Sequence, residues 1–265
     1  MYQFEYVRPS TVAEAERALK TQPGAKLLAG GQSLIPALKL RLNRVPLLID
    51  LSRIAGLKAI ERRGNALAIG AMATHADVAA SDAVKSAIPG LVRLAEEIGD
   101  PQVRNVGTIG GSLALNDPAA DYPAAALALG ATLKTNRREI AAEAHFKGLF
   151  AGFGEDEILT EIIFPIPKRF GYAKFPNPAS RFALVAVAVA ETASGVRVVA
   201  TGAGANGVFR VAELEAALNK AFRTEGLKQI HINTSNLISD VHGDAEYRAH
   251  LIGVMAKRAV DACVG

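Results

Sequence analysis

The chain has 265 residues and half of them are apolar, so it can form the core of one large domain or of two ordinary ones. Its formal charge of +4 is spread over 30 basic and 26 acidic residues without a dense basic stripe, which argues against a nucleic-acid-binding protein. One cysteine, Cys263, cannot form an intrachain disulfide or a cysteine-ligated zinc or iron–sulfur centre, so redox chemistry in this chain requires an organic cofactor.

The start of the chain and its hydropathy indicate where the protein resides. Residues 1–5 lack a basic stretch followed by an apolar one, and no uncharged apolar run reaches about 18 residues, the length that a membrane helix needs. We therefore expect a cytoplasmic protein that is not integral to a membrane.

A strand–turn–helix–strand pattern opens the chain. Thr11 and Glu14 have the Thr-x-x-Glu spacing of a helix cap. Ser33 is in position to cap a second helix, in which Pro36 lies early enough that its missing N–H is tolerated. This unit is predicted to contain a helix over about 12–21, a strand at 26–28, a helix over about 34–42 and a strand at 47–51.

The rest of the chain divides into a second mixed unit and a last third in which strands precede helices, with a boundary near 168–170. The second unit is predicted to contain a strand around 66–71, a helix that starts after Asp77, a longer helix over about 82–98, an alanine-rich helix that ends near 129 and a strand at 158–164. The last third is predicted to contain strands at 182–190 and 196–201, a helix over 211–222 and a long amphipathic helix over 245–264.

Two glycine-rich turns, Ala29–Ser33 and Thr108–Ser112, are candidates for a phosphate site. A phosphate needs several N–H donors that converge on it, and glycine both bends the chain and lets the backbone approach closely. Side-chain hydroxyl groups flank both turns. By propensity alone, however, each turn is more often a tight connection that holds no ligand.

The residues around both turns resemble those of one protein family. The stretches are Leu-Ala-Gly-Gly-Gln-Ser-Leu-Ile-Pro at 28–36 and Asn-Val-Gly-Thr-Ile-Gly-Gly-Ser-Leu-Ala-Leu-Asn-Asp-Pro-Ala-Ala-Asp-Tyr-Pro at 105–123. The resemblance continues at 73–78, 172–185 and 246–251, so it covers essentially the whole chain. The family is the FAD-binding (medium) subunit of carbon monoxide dehydrogenase, xanthine dehydrogenase and related molybdenum hydroxylases. Ser112 departs from the pattern, because relatives frequently have asparagine there.

The resemblance implies an α+β fold. We expect a two-subdomain FAD-binding domain of the PCMH or vanillyl-alcohol-oxidase-like type, followed by a smaller α+β C-terminal domain of a sheet plus helices. The expected bounds are 1–169 for the FAD-binding domain, with subdomains of about 1–56 and 57–169, and 170–265 for the C-terminal domain.

The resemblance also implies an FAD site. The two turns would hold the pyrophosphate from opposite sides, Ile98 and Leu159 would pack on the cofactor, and Asp121 would hydrogen-bond it. Lys174 would lie near the flavin, where a cation stabilises the reduced form. Without the resemblance, Asp121 is a first-turn helix carboxylate and Lys174 a solvated strand lysine. The predicted FAD-binding residues are Ala29, Gly30, Gly31, Gln32, Ser33, Leu34, Ile35, Pro36, Ile98, Thr108, Ile109, Gly110, Gly111, Ser112, Asp121, Leu159 and Lys174; no catalytic residue or metal ligand is predicted.

The function implied by the resemblance is electron transfer. Electrons would pass from the [2Fe–2S] clusters of a partner subunit through FAD to an external acceptor. The expected partners are a large molybdopterin-binding subunit and a small [2Fe–2S] subunit, as a dimer of heterotrimers. Two alternatives stay open, a stand-alone FAD-dependent oxidoreductase and a non-catalytic nucleotide-binding module.

Other motifs give weaker signals. Gly202–Gly207 matches G-x-G-x-x-G after a predicted strand, but 208–210 intervene before helical residues begin and no strand with an acidic end follows, so we do not expect an NAD site. The five histidines lack metal-ligand spacing. The residues around Ser33 lack the second glycine of a hydrolase nucleophile elbow.

Overall fold

A computed structural model describes residues 1–148, 152–228 and 230–263 of the chain. In these ranges the helices are α1 Val12–Thr21, α2 Leu34–Lys39, α3 His75–Ala80, α4 Asp82–Ala87, α5 Pro89–Glu96, α6 Pro101–Arg104, α7 Ile109–Leu115, α8 Tyr122–Leu129, α9 Ala142–His145, α10 Ala212–Lys220 and α11 Ala245–Asp261. The strands are β1 Glu5–Val7, β2 Lys26–Leu28, β3 Leu47–Asp50, β4 Ile60–Arg63, β5 Ala66–Gly70, β6 Thr132–Thr135, β7 Glu139–Ala141, β8 Leu159–Pro165, β9 Arg169–Pro176, β10 Ala183–Thr192, β11 Gly195–Thr201 and β12 Phe209–Arg210.

The strands form three sheets. The first is parallel with the order β1-β3-β2, and α1 and α2 supply the helical crossovers that parallel strands need. The second is antiparallel with the order β4-β5-β8-β6-β7, and the third is antiparallel with the order β12-β11-β10-β9. These sheets and their helices agree with the expected α+β fold of a two-part first region followed by a smaller sheet-plus-helix region.

Helix α8 lies at the centre of the molecule. All eight of its residues are buried, and it packs against β10 and β11 as well as against β8. On the other face of the third sheet, α11 covers β9 and β10 with side chains such as Ile252 and Met255. Because α8 is held by two sheets, the residue that precedes it, Asp121, has a fixed position.

The predicted single helix over 82–98 is wrong, because this segment forms two helices, α4 and α5. Between them Ile88 has φ −144° and ψ 73°, which is not a helical conformation. The ring of Pro89 disfavours helical backbone at the residue before it, whereas Pro89 itself begins α5, where a missing N–H costs nothing.

Two other predicted helices are longer than the observed ones. The helices predicted over 34–42 and 211–222 are Leu34–Lys39 and Ala212–Lys220. The last helix ends at Asp261, and its predicted end at 264 lies outside the described residues.

The glycine motif Gly202–Gly207 forms a corner between strands. Gly202 has φ +83°, and the Nη1 group of buried Arg248 donates hydrogen bonds to the carbonyl oxygens of Leu184 at 2.8 Å and Gly202 at 2.9 Å. The motif is followed by strand β12 and not by a helix. The motif therefore lacks the helix N-terminus on which a dinucleotide pyrophosphate rests. The geometry agrees with the sequence argument against an NAD site.

The described residues contain neither a membrane-crossing helix nor a metal-binding cluster of side chains. None of the helices there combines the length and the apolar character needed to cross a membrane. Within the same ranges, no group of three or more histidine, cysteine, aspartate or glutamate side chains is arranged to hold a metal ion. Burial raises the pKa of the Cys263 thiol to about 12, which makes this thiol a poor nucleophile.

Candidate cofactor-binding site

A cavity of about 690 Å³ lies where the first and second sheets meet the loop after β9. Its volume is in the range of cavities that bind small organic molecules. All of the predicted FAD-binding residues line this cavity except Ile35, Pro36, Ile109 and Lys174. The structure therefore brings together two turns that are far apart in the sequence.

The first glycine turn connects β2 to α2 and offers free backbone donors. Gly31 has φ +67°, a left-handed conformation that glycine adopts without strain. Among the described residues, the N–H groups of Gly30, Gly31, Gln32 and Ser33 have no hydrogen-bond acceptor. We call these four consecutive N–H groups beside the cavity the N–H cradle. Runs of unbonded backbone N–H groups are the donors that anion sites for phosphate use.

The sequence predicts that Ser33 caps α2, but in the structure it does not. Its backbone has φ −111° and ψ −45°, and its side chain makes no cap hydrogen bond. A capping residue needs an extended backbone so that its side-chain oxygen reaches the N–H groups of the first turn. The Ser33 hydroxyl is therefore free to face the cavity that it lines.

The second glycine turn differs from the first because the N–H groups of its last four residues, 109–112, already donate to acceptors within the chain. Ile109 and Gly110 donate their N–H groups to the carbonyl oxygens of Ala73 at 3.0 Å and Ala71 at 2.9 Å. Thr108 caps α7 by accepting a hydrogen bond from the N–H of Gly111 at 3.1 Å. This turn consequently presents hydroxyl groups and glycine surface to the cavity, rather than the backbone donors that its sequence indicates.

The two turns touch each other at Gly30. A Cβ atom built on Gly30 would overlap the carbonyl oxygen of Val106 and would lie 2.7 Å from the Cα of Gly107. Gly110 is similarly confined, since its Cβ would lie 2.5 Å from that of Ala71. The glycines at these positions are required for close approach of one backbone to another.

A buried ion pair lies at another side of the cavity. The side chains of Lys174 and Asp121 are only 2% and 5% exposed, and Lys174 Nζ lies 2.8 Å from Asp121 Oδ1. Tyr172 donates its hydroxyl hydrogen to the same oxygen, and Lys174 also donates to the carbonyl oxygen of Glu97 at 3.1 Å. Burial raises the pKa of the Asp121 carboxyl, and the charge of Lys174 opposes that rise.

The ion pair decides between the interpretations of Lys174 and Asp121. Lys174 is not a solvated strand lysine, because its side chain is buried. Asp121 lines the cavity and Lys174 does not, so Lys174 is held behind a carboxylate. Asp121 has no side-chain cap hydrogen bond to α8, which excludes a purely capping role for its side chain.

His75 is a cavity residue that the sequence argument did not select. It is the first residue of α3, which begins earlier than the start predicted after Asp77; its imidazole is buried, lines the cavity and packs on Tyr122 at a ring separation of 5.4 Å. Its Nδ1 atom is buried and has no partner among the described residues. Burial, aided by the charge of Arg104, lowers the pKa of His75 to about 4, so the ring is neutral at physiological pH. His75 lies in the 73–78 stretch that carries the family resemblance, which is a sequence signal that could have pointed to it.

The loop at 152–157 also lines the cavity and was not predicted to do so. Glu157 holds the loop, because its carboxylate accepts hydrogen bonds from the N–H of Gly154 at 3.0 Å and from Arg138 Nε at 2.8 Å. Arg138 lowers the pKa of Glu157 to about 2. Phe153 stacks on His145 at 4.3 Å between ring centres. Such nonlocal contacts leave no pattern in the sequence.

Two family models match the chain. The FAD binding domain in molybdopterin dehydrogenase matches residues 2–167, and the CO dehydrogenase flavoprotein C-terminal domain matches residues 170–263. The first of these models alone spans more than half of the chain.

Curated relatives match along nearly the whole length. The chain is 33% identical over 269 residues to the nicotine 6-hydroxylase medium subunit of Paenarthrobacter nicotinovorans, which covers 96% of this chain and 95% of the relative. It is 35% identical over 277 residues to the carbon monoxide dehydrogenase medium chain of Hydrogenophaga pseudoflava, which covers 98% of this chain and 96% of the relative.

Solved structures show the same fold. A chain of the reconstituted CO dehydrogenase from Oligotropha carboxidovorans matches with a TM-score of 0.91 and 33% identity, over 98% of this chain and 97% of that chain. Quinoline 2-oxidoreductase from Pseudomonas putida 86 matches with a TM-score of 0.87 and 26% identity, over 98% and 97%. The expected fold class and the expected cofactor, FAD, are confirmed. The chain belongs to the FAD-binding medium subunits of the carbon monoxide dehydrogenase and xanthine dehydrogenase family of molybdenum hydroxylases.

Proposed function

We propose that this chain is the electron-exit subunit of its complex, in which FAD receives electrons from the [2Fe–2S] clusters of a partner subunit and passes them to an external acceptor. The observation that carries the proposal is the cavity, which has unbonded N–H groups on one wall and a buried carboxylate–ammonium pair on another. When bound, FAD supplies the redox chemistry, and the residues of the chain bind and orient it.

The proposal includes two partner subunits, a large molybdopterin-binding chain and a small [2Fe–2S] chain, assembled as a dimer of heterotrimers. Its support is that two relatives are named the medium subunit of nicotine 6-hydroxylase and the medium chain of carbon monoxide dehydrogenase. This chain has one cysteine, so the thiolate ligands of the clusters must come from elsewhere. The cytoplasmic location and the domain bounds 1–169 and 170–265 stay predictions.

The predicted site residues have different proposed roles. The N–H cradle would bind the pyrophosphate, and the hydroxyl groups of Thr108 and Ser112 would bind it from the facing turn. Ile98 and Leu159 would pack on the cofactor. The predicted residues that do not line the cavity would act from behind it, as supports of the turns and of the Asp121 carboxylate: Ile35, Pro36, Ile109 and Lys174.

Electron transfer between subunits gives a direct test of this function. The small [2Fe–2S] partner is reduced with stoichiometric dithionite and mixed without oxygen with the FAD-loaded chain. We expect the flavin absorption to fall while the cluster absorption of the oxidised partner returns. No electron transfer would contradict the proposal, and turnover of carbon monoxide, nicotine or glyceraldehyde by the isolated chain would favour the stand-alone oxidoreductase.

A further inference from the structure

Exposed apolar and basic side chains gather at the C-terminal end of α2. Leu40 and Leu42 are 71% and 73% exposed, and Tyr2 is also exposed. The guanidinium carbons of Arg41 and Arg44 lie 5.8 and 5.5 Å from the centre of the Tyr2 ring. We call this set the arginine–leucine surface; it consists of Tyr2, Leu40, Arg41, Leu42 and Arg44.

The backbone presents this surface in one conformation. Arg41 has φ +59°, a left-handed conformation that costs a non-glycine residue about 1 kcal/mol. The N–H of Arg41 donates to the carbonyl oxygen of Leu38 at 3.1 Å, and that of Leu42 donates to Ala37 at 2.9 Å, which closes the end of α2. Leu38 is buried, whereas the two leucines that follow it point away from the core. The backbone conformation at the end of α2 therefore holds these two leucines on the surface.

The charge of the arginine–leucine surface indicates what can cover it. No acidic residue occurs between Leu34 and Ile49, and this segment carries three basic side chains, those of Lys39, Arg41 and Arg44. Among the described residues, neither Arg41 nor Arg44 is paired with a carboxylate. Two copies of the chain that met symmetrically at this surface would bring like charges together. A carboxylate-bearing partner is complementary.

We propose that the arginine–leucine surface docks another subunit of the complex, at an apolar hollow rimmed by carboxylates. This inference rests on the proposed function, because it requires partner chains. Tyrosine and arginine contribute most of the binding energy at the centres of protein interfaces, and the surface supplies both types, with Arg41 and Arg44 stacked on Tyr2. The two fixed leucines add apolar area that a partner can bury. The fixed turn favours a shaped protein surface over a fluid lipid surface.

The test uses the full set of co-expressed subunits. Leu42→Glu and Arg44→Glu are compared with Val241→Glu and Arg258→Glu, because Val241 is 95% exposed and Arg258 is exposed on α11, away from the surface. We expect each of the first two variants to weaken the affinity of the chain for the other subunits about tenfold or more, with FAD absorption and circular dichroism unchanged. The controls assemble like the wild type. Added salt weakens assembly of the wild type more than that of Arg44→Glu.

Equal assembly by all four variants would overturn the proposal. The surface would be assigned to lipid instead if the wild-type chain floats with phosphatidylserine vesicles, Arg44→Glu does not float, and both assemble equally with the other subunits. A concentration-dependent dimer that only the surface variants lose would assign it to a second copy. If the wild-type chain holds FAD but assembles with no partner, both this inference and the proposed subunit role are wrong. If the wild type assembles and the surface variants assemble equally well, only this inference is wrong and the proposed function is unaffected.

Discussion

At the scale of single residues, two buried tyrosines near Asp121 are in contrasting situations. Tyr172 donates to the Asp121 carboxylate, whereas the hydroxyl of Tyr122 is buried with no partner among the described residues. We expect Tyr172→Phe to lower the free energy of unfolding by roughly 1.5–3 kcal/mol, the usual value for a hydrogen bond to a charged group. Tyr122→Phe should cost almost nothing. Urea denaturation checks both, and equal losses would contradict the described hydrogen bond.

Lys174 and Asp121 form an ion pair beside the cavity, so the electrostatic effect of each charge on the cavity is offset by the other. Asp121→Asn leaves the ammonium group uncompensated, so we expect the flavin midpoint potential of the complex to rise, because a cation stabilises reduced flavin. Lys174→Met should lower the potential instead. Spectroelectrochemical titration measures both shifts. Shifts of the same sign in the two variants would show that the pair does not act on the flavin through its charges.

His75 predicts a pH dependence of stability. Its ordinary pKa of 6.5 falls to about 4 in the folded chain, so between these values the unfolded chain takes up a proton that the folded chain does not. The stability that His75 contributes is thus complete above pH 6.5 and lost as the pH falls towards 4. His75→Gln should remove this loss, on the order of 3 kcal/mol at most. Urea denaturation from neutral to acid pH should show a shallower decline for the variant, and parallel curves would contradict the burial of a neutral ring.

At the scale of secondary-structure elements, the two glycine turns are stabilised differently. Thr108 caps α7 and Ser33 does not cap α2. We expect Thr108→Ala to cost about 1 kcal/mol of unfolding free energy and Thr108→Ser to restore most of it, while Ser33→Ala changes stability little. Thermal denaturation of the FAD-free chain separates these effects from cofactor binding. An equal loss for Ser33→Ala would contradict the described start of α2.

Local sequence signals predicted those elements whose ends depend on local chemistry. Thr11 accepts a hydrogen bond from the N–H of Glu14 at 3.1 Å, and α1 spans the predicted residues. The division at Ile88 was missed because the apolar periodicity continues across Pro89 while the backbone does not. Periodicity reports which face is buried, and it does not report a single residue in a non-helical conformation.

The sequence predicted those parts of the candidate site whose backbone conformation depends on local residues, namely the two glycine turns. It did not predict contacts between residues that are distant in the sequence. Both turns line the cavity. The carbonyl oxygens of Ala71 and Ala73 accept hydrogen bonds from N–H groups of the second turn. This could not be foreseen, because the acceptors are distant from the turn in the sequence. Burial of Lys174 was equally hidden, since it depends on pairing with Asp121 across two separate elements.

At the scale of the whole molecule, the cavity depends on three regions that are distant in the sequence. The first sheet supplies the N–H cradle through β2 and α2, the second region supplies the facing turn, and the loop after β9 contributes Arg181 and Phe182 to the lining. Contacts between the backbones of the first two regions, at Gly30 and Gly107, hold the walls together. We therefore expect cofactor binding to depend on the packing of these three regions.

The FAD content of Gly30→Ala tests this account most directly. The added methyl group overlaps the Val106 carbonyl oxygen and forces the turns apart. At the control Gly56→Ala, apart from the two chain neighbours, no atom of the described residues lies within 4 Å of the added Cβ. FAD released on denaturation, measured per chain by absorption, should be about one equivalent for the wild type and for Gly56→Ala. Gly30→Ala should be folded by circular dichroism and nearly colourless. A wild-type chain without FAD in its complex, or a Gly30→Ala variant with full FAD, would contradict the account.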